Sequence, residues 1–253
     1  MAAEPAVAGG KIFAGCAGWS LPRAAQPGFG AGGSHLQRYA TRLNAAEINS
    51  SFHRPHSRAT YERWADSVPE SFRFCVKLPK TITHAQRLVD ADPLVEEFLQ
   101  QAGGLGPRLG CLLVQLPPKL AFEEAVAGTF FEALRSRHAG PVAVEPRHAS
   151  WFTPEVDAWL AERQLARVLA DPVRHAPGQL PGGWPDLVYL RLHGSPRMYY
   201  SAYAPALIEA LARRIALAAR EGRTVWCIFD NTAGQAAADN ALALAGALTK
   251  EKA

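Results

Sequence analysis

The stretch that decides the fold is Val142-Ala143-Val144-Glu145-Pro146-Arg147-His148-Ala149-Ser150-Trp151. Its small apolar residues predict a buried strand, and the strand ends in an acid, a guanidinium and an imidazole. Pro146 has no backbone N–H, so strand pairing should stop there and release the polar residues into a loop. Thr153 and Pro154 then suit the N-cap and the first position of a helix. A buried strand that turns directly into a helix is the βα unit of an α/β protein.

The same strand-then-helix unit recurs along the chain. Apolar segments typical of buried strands lie at residues 11–19, 45–52, 73–80, 110–116, 142–145, 167–171, 187–193 and 224–231. Helical segments lie at residues 35–43, 59–67, 93–101, 123–137, 153–164 and 205–221, and a last helix ends near residue 248. The sixth crossover, residues 172–185, is rich in proline and glycine, which predicts an irregular connection. Eight parallel strands with about seven helices indicate an α/β fold, a TIM-type (β/α) barrel.

The length and composition fit one such barrel. The chain has 253 residues, 48% of them hydrophobic and 20% charged, which is ordinary for a globular domain. We assign residues 11–250 to a single barrel domain and residues 1–10 to a flexible leader, because the start lacks the features of a signal peptide. No apolar run reaches the roughly 18 residues that span a bilayer. The sequence therefore predicts a cytoplasmic protein without a membrane partner, and it carries no signal for an oligomeric state.

The cysteines agree with that compartment. Cys16, Cys75, Cys111 and Cys227 each stand alone in an apolar segment, and no two form a C-x-x-C pair. This spacing predicts reduced core thiols in a cytosolic protein, not disulfides or a cysteine-bound zinc ion.

An open, doubly wound sheet is the main alternative fold. Residues 28–33 match the G-x-G-x-x-G pattern of dinucleotide-binding proteins. The pattern lies well past the first strand and not at its turn into a helix, and the next acid, Glu47, falls in mid-strand. A flexible glycine-rich loop explains the pattern better than a dinucleotide site does.

Side-chain alternation predicts which residues share the inside of the barrel. In the seventh strand Val188, Leu190 and Leu192 form an apolar set suited to face helices, so the other set should face inward. The polar residues that this argument sends toward one end of the barrel are Glu47, Asn49, Lys77, Gln115, Glu145, Arg147, Asp171, Arg191, His193, Asp230 and Asn231. Barrels of this type build their sites at the carboxyl-terminal mouth, so we predict a ligand site there.

Seven motifs along the chain resemble those of one known family. They are GCAGWS at 15–20, EINSSF at 47–52, FRFCVKLP at 72–79 with Thr83-His84, QLPP at 115–118, EPRHASW at 145–151, YLRLHG at 189–194 and FDNT at 229–232. In this order they resemble the YecE-like family, a domain of unknown function, over about residues 11–248. The resemblance implies a TIM-type barrel with a carboxyl-terminal cleft, similar to endonuclease-IV-type and sugar-isomerase-type barrels in general shape only. It supplies no settled activity, and His53 and Thr232 depart from the tyrosine and histidine usual in that family.

The charges near the strand ends predict an anionic ligand. The cationic candidates are Lys77, Lys80, His84, Arg87, Arg147, His148, Arg191, His193 and Arg197, and they outnumber Glu47, Glu145, Asp171 and Asp230. We therefore expect a small phosphorylated or sugar-like anion as the substrate of a hydrolase, isomerase or lyase. Glu145 and His193 are the candidate general base and acid, and Lys77, Arg147 and Arg191 would stabilise negative charge. His148 belongs to the loop above the mouth, and Trp151 anchors the next helix or walls the cleft.

Three alternatives stay open. A nucleic-acid-binding or repair protein could use the same basic cleft and stack bases on aromatic rings, for which the candidates are Trp19, Phe52, Trp151, Tyr199 and Tyr200. A barrel without catalysis would bind its ligand and not turn it over. No cofactor is firmly implied; a divalent metal held by Glu145, Asp171, His193 and Asp230 has suitable ligand types, although nearby Lys and Arg would repel it. The turn at residues 230–234 is expected to begin the last helix and to offer its amides to a phosphate.

Overall fold

The predicted strands and helices form in the predicted order. The structure, a computed structural model, describes residues 9–251. Its strands are β1 (Ile12–Ala17), β2 (Ala45–Ile48), β3 (Arg73–Lys77), β4 (Leu109–Gln115), β5 (Val142–Glu145), β6 (Leu165–Arg167), β7 (Leu169–Asp171), β8 (Gly182–Gly183), β9 (Leu187–Leu192) and β10 (Thr224–Phe229). Its α-helices are α1 (His35–Tyr39), α2 (Arg58–Asp66), α3 (Asp92–Ala102), α4 (Glu124–Arg137), α5 (Pro154–Glu162), α6 (Pro205–Arg220) and α7 (Ala237–Lys250).

The strands form one barrel-shaped sheet in the order β7-β9-β10-β1-β2-β3-β4-β5-β6-β8. Every pairing is parallel except that of β6 with the two-residue β8. The two sides of the barrel meet in the segment 165–171, where β6 pairs with β5 and β7 pairs with β9. Val168 lies between them and donates its N–H to the carbonyl of Val144 at 2.9 Å. This confirms the TIM-type barrel, which is nearly closed.

The strand count differs from eight for one physical reason. The predicted sixth strand changes partner at Val168, so it is two short strands, and the sixth crossover adds the short antiparallel β8. That crossover is irregular as predicted, with a single short helical turn at Ala176–Gln179 and a cis peptide bond between Asp171 and Pro172.

The helix ends follow the sequence signals, with one exception. Ser34 caps α1 with a capping box, and the Thr153 side chain accepts from the Val156 N–H at the start of α5. The exception is α7, which begins at Ala237 and not at the 230–234 turn, so the predicted phosphate-binding amides of that turn are not a helix N-terminus.

Two apolar clusters lie on opposite faces of the sheet. The inner layer, inside the barrel, consists of Ala45, Cys75, Cys111, Leu113, Ala143, Ala166, Val168, Leu187, Tyr189, Trp226 and Ile228. The larger outer cluster joins the sheet to the helices and contains Val144, Leu190 and Leu192. Neighbouring residues of each strand therefore fall on opposite faces, which confirms the predicted alternation.

The described part of the chain begins beside the end of α6. Of the predicted leader, residues 1–8 lie outside the described part of the chain, and the N–H of Gly10 donates to the Ala219 carbonyl at 2.7 Å. All four cysteines are free and buried. Among residues 9–251, none of the helices has the length and apolar character needed to cross a membrane.

Candidate functional site

Charged residues follow the inner layer along the same strands. Each lies two positions beyond an inner-layer residue, as Arg191 does after Tyr189 on β9. These residues and two from the following loops form the mouth cluster: Glu47, Lys77, Glu145, Arg147, Arg191, His193 and Asp230. All are buried, and the least buried, Arg147, is 9% exposed. The carboxyl-terminal mouth of the barrel is therefore closed below by apolar side chains and lined by charge.

Arg191 is the centre of the mouth cluster. Its Nη2 donates to Glu47 Oε1 at 2.7 Å and forms an ion pair with Asp230 Oδ2 at 2.8 Å, and its Nη1 donates to Glu145 Oε2 at 3.2 Å. Burial by itself would lower the pKa of Arg191, but the three carboxylates raise it well above its usual value. One permanent cation thus holds three carboxylates that come from three different strands.

The guanidinium of Arg191 also bears on the metal alternative. Glu145, His193 and Asp230, three of the four residues considered for a divalent ion, all lie against it. In the described part of the chain, no group of three or more His, Cys, Asp or Glu side chains has an arrangement that could hold a metal ion. The carboxylates that a metal would need surround a protein cation instead.

His193 is held as a neutral imidazole. Its Nε2 lies 2.7 Å from Arg191 Nη1 and 3.3 Å from Arg147 Nη2, and both of these nitrogens can only donate. The proton must therefore be on Nδ1, which donates to the carbonyl of Asp171 at 3.1 Å. Burial and the charges of Arg191 and Arg147 together lower the pKa of His193 to about 4, against the opposing charge of Glu145. His193 is an acceptor for arginine at neutral pH and not a proton donor toward the mouth.

Glu145 is held as a carboxylate. Its Oε1 forms an ion pair with Arg147 and accepts from Gln115 Nε2 at 3.2 Å, and its Oε2 accepts from Arg191 Nη1. Burial alone would raise the pKa of Glu145, but the charges of Arg191 and Arg147 lower it to about 2. The structure thus brings the predicted pair Glu145 and His193 together, 3.8 Å apart, while placing both pKa values far below neutral.

Two other groups in the cluster titrate near neutral pH. Burial raises the pKa of Asp230 to about 6, even though Arg191 opposes it. Burial, and then the charge of Arg191, lowers the pKa of Lys77 to about 8 against the pull of Glu47, Glu145 and Asp230. Pairs of groups whose pKa values are shifted toward neutral are the usual acid–base candidates in a site.

Two cationic donors in the cluster lack a partner. The Nε of Arg147 is enclosed and has no hydrogen-bond partner among the described residues. The ammonium of Lys77 lies over the Phe52 ring, 4.0 Å from its centroid, and within residues 9–251 it forms no salt bridge. By contrast, each of the three carboxylates is paired with Arg191.

Several predicted site residues have other tasks. The carboxylate of Asp171 accepts from the Tyr203 hydroxyl at 2.6 Å. The Asn231 amide donates to the Ser201 carbonyl and to Asn240, both at 2.9 Å, and so ties loop to helix. Asn49 begins the short helical turn at Ser50–Phe52, and its Oδ1 is enclosed without a partner. None of these three side chains is bonded to Arg191.

His148 and Trp151 in the loop after β5 make structural contacts. His148 accepts from the Ser150 N–H at 3.2 Å and caps a short helical turn, as its place in the loop predicts. Trp151 is 1% exposed and donates its Nε1–H to the Leu120 carbonyl at 3.0 Å. The ring packs against Phe122, which fits the anchoring role that is one of the two expected for Trp151.

Within the enclosed cluster, basic side chains do not outnumber acidic ones, unlike in the whole set of strand-end residues. With His193 neutral, three basic side chains (Lys77, Arg147 and Arg191) face three acidic ones (Glu47, Glu145 and Asp230). The additional cations are in the surrounding loops, where Lys80, Arg87 and Arg197 are exposed. The charges of the enclosed cluster therefore balance, while the exposed loop residues at the rim of the mouth (Lys80, Arg87 and Arg197) are positively charged.

Sequence reasoning missed two contributors to the cluster. The Tyr189 hydroxyl donates to Glu47 Oε2 at 2.9 Å from the top of the inner layer. Its place two positions before Arg191 was the signal that could have identified it. The Phe52 ring lies against the Lys77 ammonium, which no local pattern indicates.

Known proteins similar to this chain share its fold and family. Among curated proteins, the UPF0759 protein YecE of Escherichia coli (strain K12) is 31% identical over 166 residues, 63% of this chain and 59% of YecE. The UPF0759 protein YunF of Bacillus subtilis (strain 168) is 24% identical over 262 residues, 90% of this chain and 92% of YunF. The chain spans 59% and 50% of the lengths of the two YecE proteins that it matches.

Solved structures agree on the fold. A DUF72 family protein from Enterococcus faecalis V583 superposes with a TM-score of 0.77 at 22% identity, over 94% of this chain and 95% of that one. A DUF72 family protein from Thermotoga maritima MSB8 gives a TM-score of 0.75 at 23% identity, over 94% and 99% of the two chains. The family model described as "Protein of unknown function DUF72" matches residues 13–253. The chain therefore belongs to the DUF72 family, in agreement with the resemblance of its motifs.

Proposed function

We propose that this protein is an enzyme that binds a small anionic compound, phosphorylated or sugar-like, at the carboxyl-terminal mouth of its barrel. The observation that carries the proposal is the pair of unpartnered donors, Arg147 Nε and Lys77 Nζ, in a cluster whose carboxylates are all paired. A buried donor without an acceptor is costly, about 1–3 kcal/mol or more for a charged group. A ligand that supplies acceptor atoms would remove that cost.

The chemistry of the two donors favours an anion as that ligand. Guanidinium and ammonium groups donate hydrogen bonds and accept none, so they bind carboxylate or phosphate oxygens. Their partial exclusion from water strengthens this attraction relative to the same contact in bulk solvent. The exposed cations at the rim, Lys80, Arg87 and Arg197, would attract an anion toward the mouth.

The acid–base roles expected from the sequence change in this proposal. Glu145 and His193, with pKa values of about 2 and about 4, hold Arg147 and Arg191 in place. Asp230, with a pKa of about 6, is the group suited to exchange a proton with substrate at neutral pH. The proposal thus keeps the predicted site and moves proton transfer to a neighbouring residue.

Ligand-dependent thermal unfolding tests the proposal. Inorganic phosphate is compared with sodium chloride at equal ionic strength, and phosphate at ten times its Kd should raise Tm by about 3–6 °C. Lys77→Met should lose most of that rise, while Lys11→Met, which removes an exposed lysine just before β1 at the opposite, amino-terminal end of the barrel, should keep it. If phosphate raises Tm no more than chloride does, or equally in both variants, the anion site is wrong.

Nucleic-acid binding is the second candidate, and one observation favours it. In the loop beyond β9, Tyr199 and Tyr200 are 39% and 48% exposed, and Arg197 lies 4.0 Å from the Tyr200 ring centroid. Exposed rings beside a cation can stack on bases. The other aromatic candidates are less suitable, because Trp151 is enclosed and Trp19 packs against Trp64.

Salt dependence separates the two functions. If the barrel binds nucleic acid, the affinity for a single-stranded oligonucleotide should fall steeply and linearly with the logarithm of salt concentration. The small-molecule proposal expects no measurable oligonucleotide binding at 0.15 M salt, a physiological value. Tight, salt-sensitive binding that Tyr199→Ala and Tyr200→Ala weaken would replace the first proposal with the second.

A further inference from the structure

Lys77 occupies an unusual position for a lysine. It ends β3 inside the barrel and is 5% exposed. Its Nζ contacts the face of Phe52, and in the described part of the chain it has no carboxylate partner and no hydrogen-bond acceptor. The Nζ atom itself is not fully enclosed. Lys77 is therefore not part of a structural ion pair, because it has no counter-ion among the described residues and is not fully enclosed.

The charges around Lys77 explain how it can lose its proton. The carboxylates of Glu47, Glu145 and Asp230 are each bonded to Arg191, so none is committed to the lysine. Burial and the charge of Arg191 together hold the pKa of Lys77 near 8. An ordinary lysine, with a pKa of about 10.4, is almost fully protonated at pH 7.5, whereas about a quarter of Lys77 would be the neutral amine.

Lys77 and Arg147 lie at the same end of the sheet, two strands apart. Lys77 ends β3 and Arg147 follows β5, with β4 between them. The Arg147 Nε is unpartnered among the described residues, and the Lys77 Nζ is not fully enclosed. A small molecule could therefore meet a fixed cation and an amine at once.

We propose that Lys77 is the nucleophile that forms an imine with an aldehyde or ketone group of the substrate, while Arg147 binds the anionic group of the same molecule. This rests on the proposed function and narrows its substrate class to anionic carbonyl compounds such as 2-oxo acids or phosphorylated sugars. The neutral Nζ attacks the carbonyl carbon and a C–N bond forms. Both amine protons then leave with the carbonyl oxygen as water, and a C=N double bond remains.

Asp230 is the group in the cluster suited to relay those protons. Both side chains belong to the buried mouth cluster, and the charge of each shifts the pKa of the other toward its charged form. A carboxyl that titrates near pH 6 can give a proton to the departing oxygen and take one back from the nitrogen. Glu145, a carboxylate at every pH above about 2, cannot do this.

Borohydride trapping tests the imine. The protein is incubated at pH 7.5 with glyoxylate and sodium borohydride, which reduces an imine to a stable secondary amine. Intact mass should increase by one carboxymethyl group, and peptide mapping should place it on Lys77. We expect Lys77 to react at least about ten-fold faster than the exposed Lys80 and Lys119, because its lowered pKa leaves a larger share of neutral amine at pH 7.5. Phosphate should slow the reaction at Lys77 and leave the other lysines unaffected.

Three variants control the experiment. Lys77→Met and Lys77→Arg should both lose the fast adduct, and the arginine variant keeps the positive charge, which guards against a loss caused by misfolding. Lys11→Met, at the amino-terminal end of the barrel, should keep the fast adduct. Equal labelling of Lys77, Lys80 and Lys119, or a fast adduct that persists in Lys77→Arg, would overturn the imine.

The outcomes also separate the two proposals. If phosphate raises Tm but Lys77 is not trapped, the imine is wrong and the anion site stands. If Lys77 is trapped equally well by glyoxylate and by uncharged propanal, and phosphate neither protects it nor raises Tm, then Lys77 is a nucleophile and the anion site is wrong.

Discussion

The inner layer and the mouth cluster are two buried regions stacked along the same strands, and they are built from opposite chemistry. The inner layer is apolar, with the Tyr189 and Trp226 rings stacked at 6.1 Å between centroids. Two residues further along several of these strands the side chains are charged, yet Arg191 and Glu47 are 1% and 0% exposed. Tyr189 connects the regions, since its ring belongs to the first and its hydroxyl bonds to Glu47 in the second.

The two regions differ in what their burial contributes to the stability of the fold. Burying apolar surface stabilises a fold by about 25 cal/mol per Å². Burying charge costs several kcal/mol per ion, and well-packed apolar replacements of buried ion pairs are often neutral or stabilising. The inner layer therefore explains why the barrel folds, whereas the mouth cluster has no such explanation. A costly set of charges at the end of a barrel where sites are built supports the proposed anion site.

Removing the central cation should have the largest effect. Arg191→Met would leave Glu47, Glu145 and Asp230 buried without their counter-ion. We expect the free energy of unfolding, measured by urea denaturation, to fall by about 3–5 kcal/mol.

Arg167 provides the matched control for that variant. It is also buried, at 3% exposure, but it pairs on the outer side with Asp157, whose side chain is 32% exposed. Arg167→Met should cost less, because Asp157 can be hydrated when its partner is lost. If the two variants were equally destabilised, the mouth cluster would be no different from an ordinary ion pair.

A cavity in the inner layer should give the next largest effect on stability and none on ligand binding. Ile228 is fully buried, and Ile228→Ala should lower the free energy of unfolding by about 2–5 kcal/mol. Because Ile228 is apolar and two residues before Asp230, the rise in Tm caused by phosphate should persist in the variant. A loss of that rise would show that the two regions are coupled and not separate.

Asp230→Asn should have a smaller effect, and it should raise the free energy of unfolding relative to the natural protein as pH rises. The folded-state pKa of Asp230, about 6, lies above the usual 3.8, so ionising this group destabilises the folded state as pH rises through that interval. Asp230→Asn avoids this loss and should gain about 1–3 kcal/mol over the natural protein between pH 4 and pH 7.5. Urea denaturation at both pH values measures the change.

The opposite shift of Glu145 cancels in that comparison. Its pKa is lowered to about 2, so its contribution is present above pH 4.5 and lost as pH falls toward 2, equally in both proteins. A difference between Asp230→Asn and the natural protein that does not change with pH would contradict the raised pKa of Asp230.

Local sequence patterns predicted much of the fold. Alternation along β9 identified the inward set that contains Arg191 and the outward set that contains Leu190, because a strand turns successive side chains to opposite faces. Cap residues located helix starts such as Thr153 for the same kind of reason, since a cap bonds within its own turn.

What the sequence by itself determined was therefore the barrel and the residues that point into its mouth. The tertiary structure decided how they pair: Arg191 with Glu47 across 144 positions, His193 as an acceptor of arginine, and Trp151 enclosed under a neighbouring loop. It also decided that Val168 is where the sixth strand changes partner and that α7 begins at Ala237. Pairing and pKa depend on distances between strands that are far apart in sequence, and no local pattern encodes those distances.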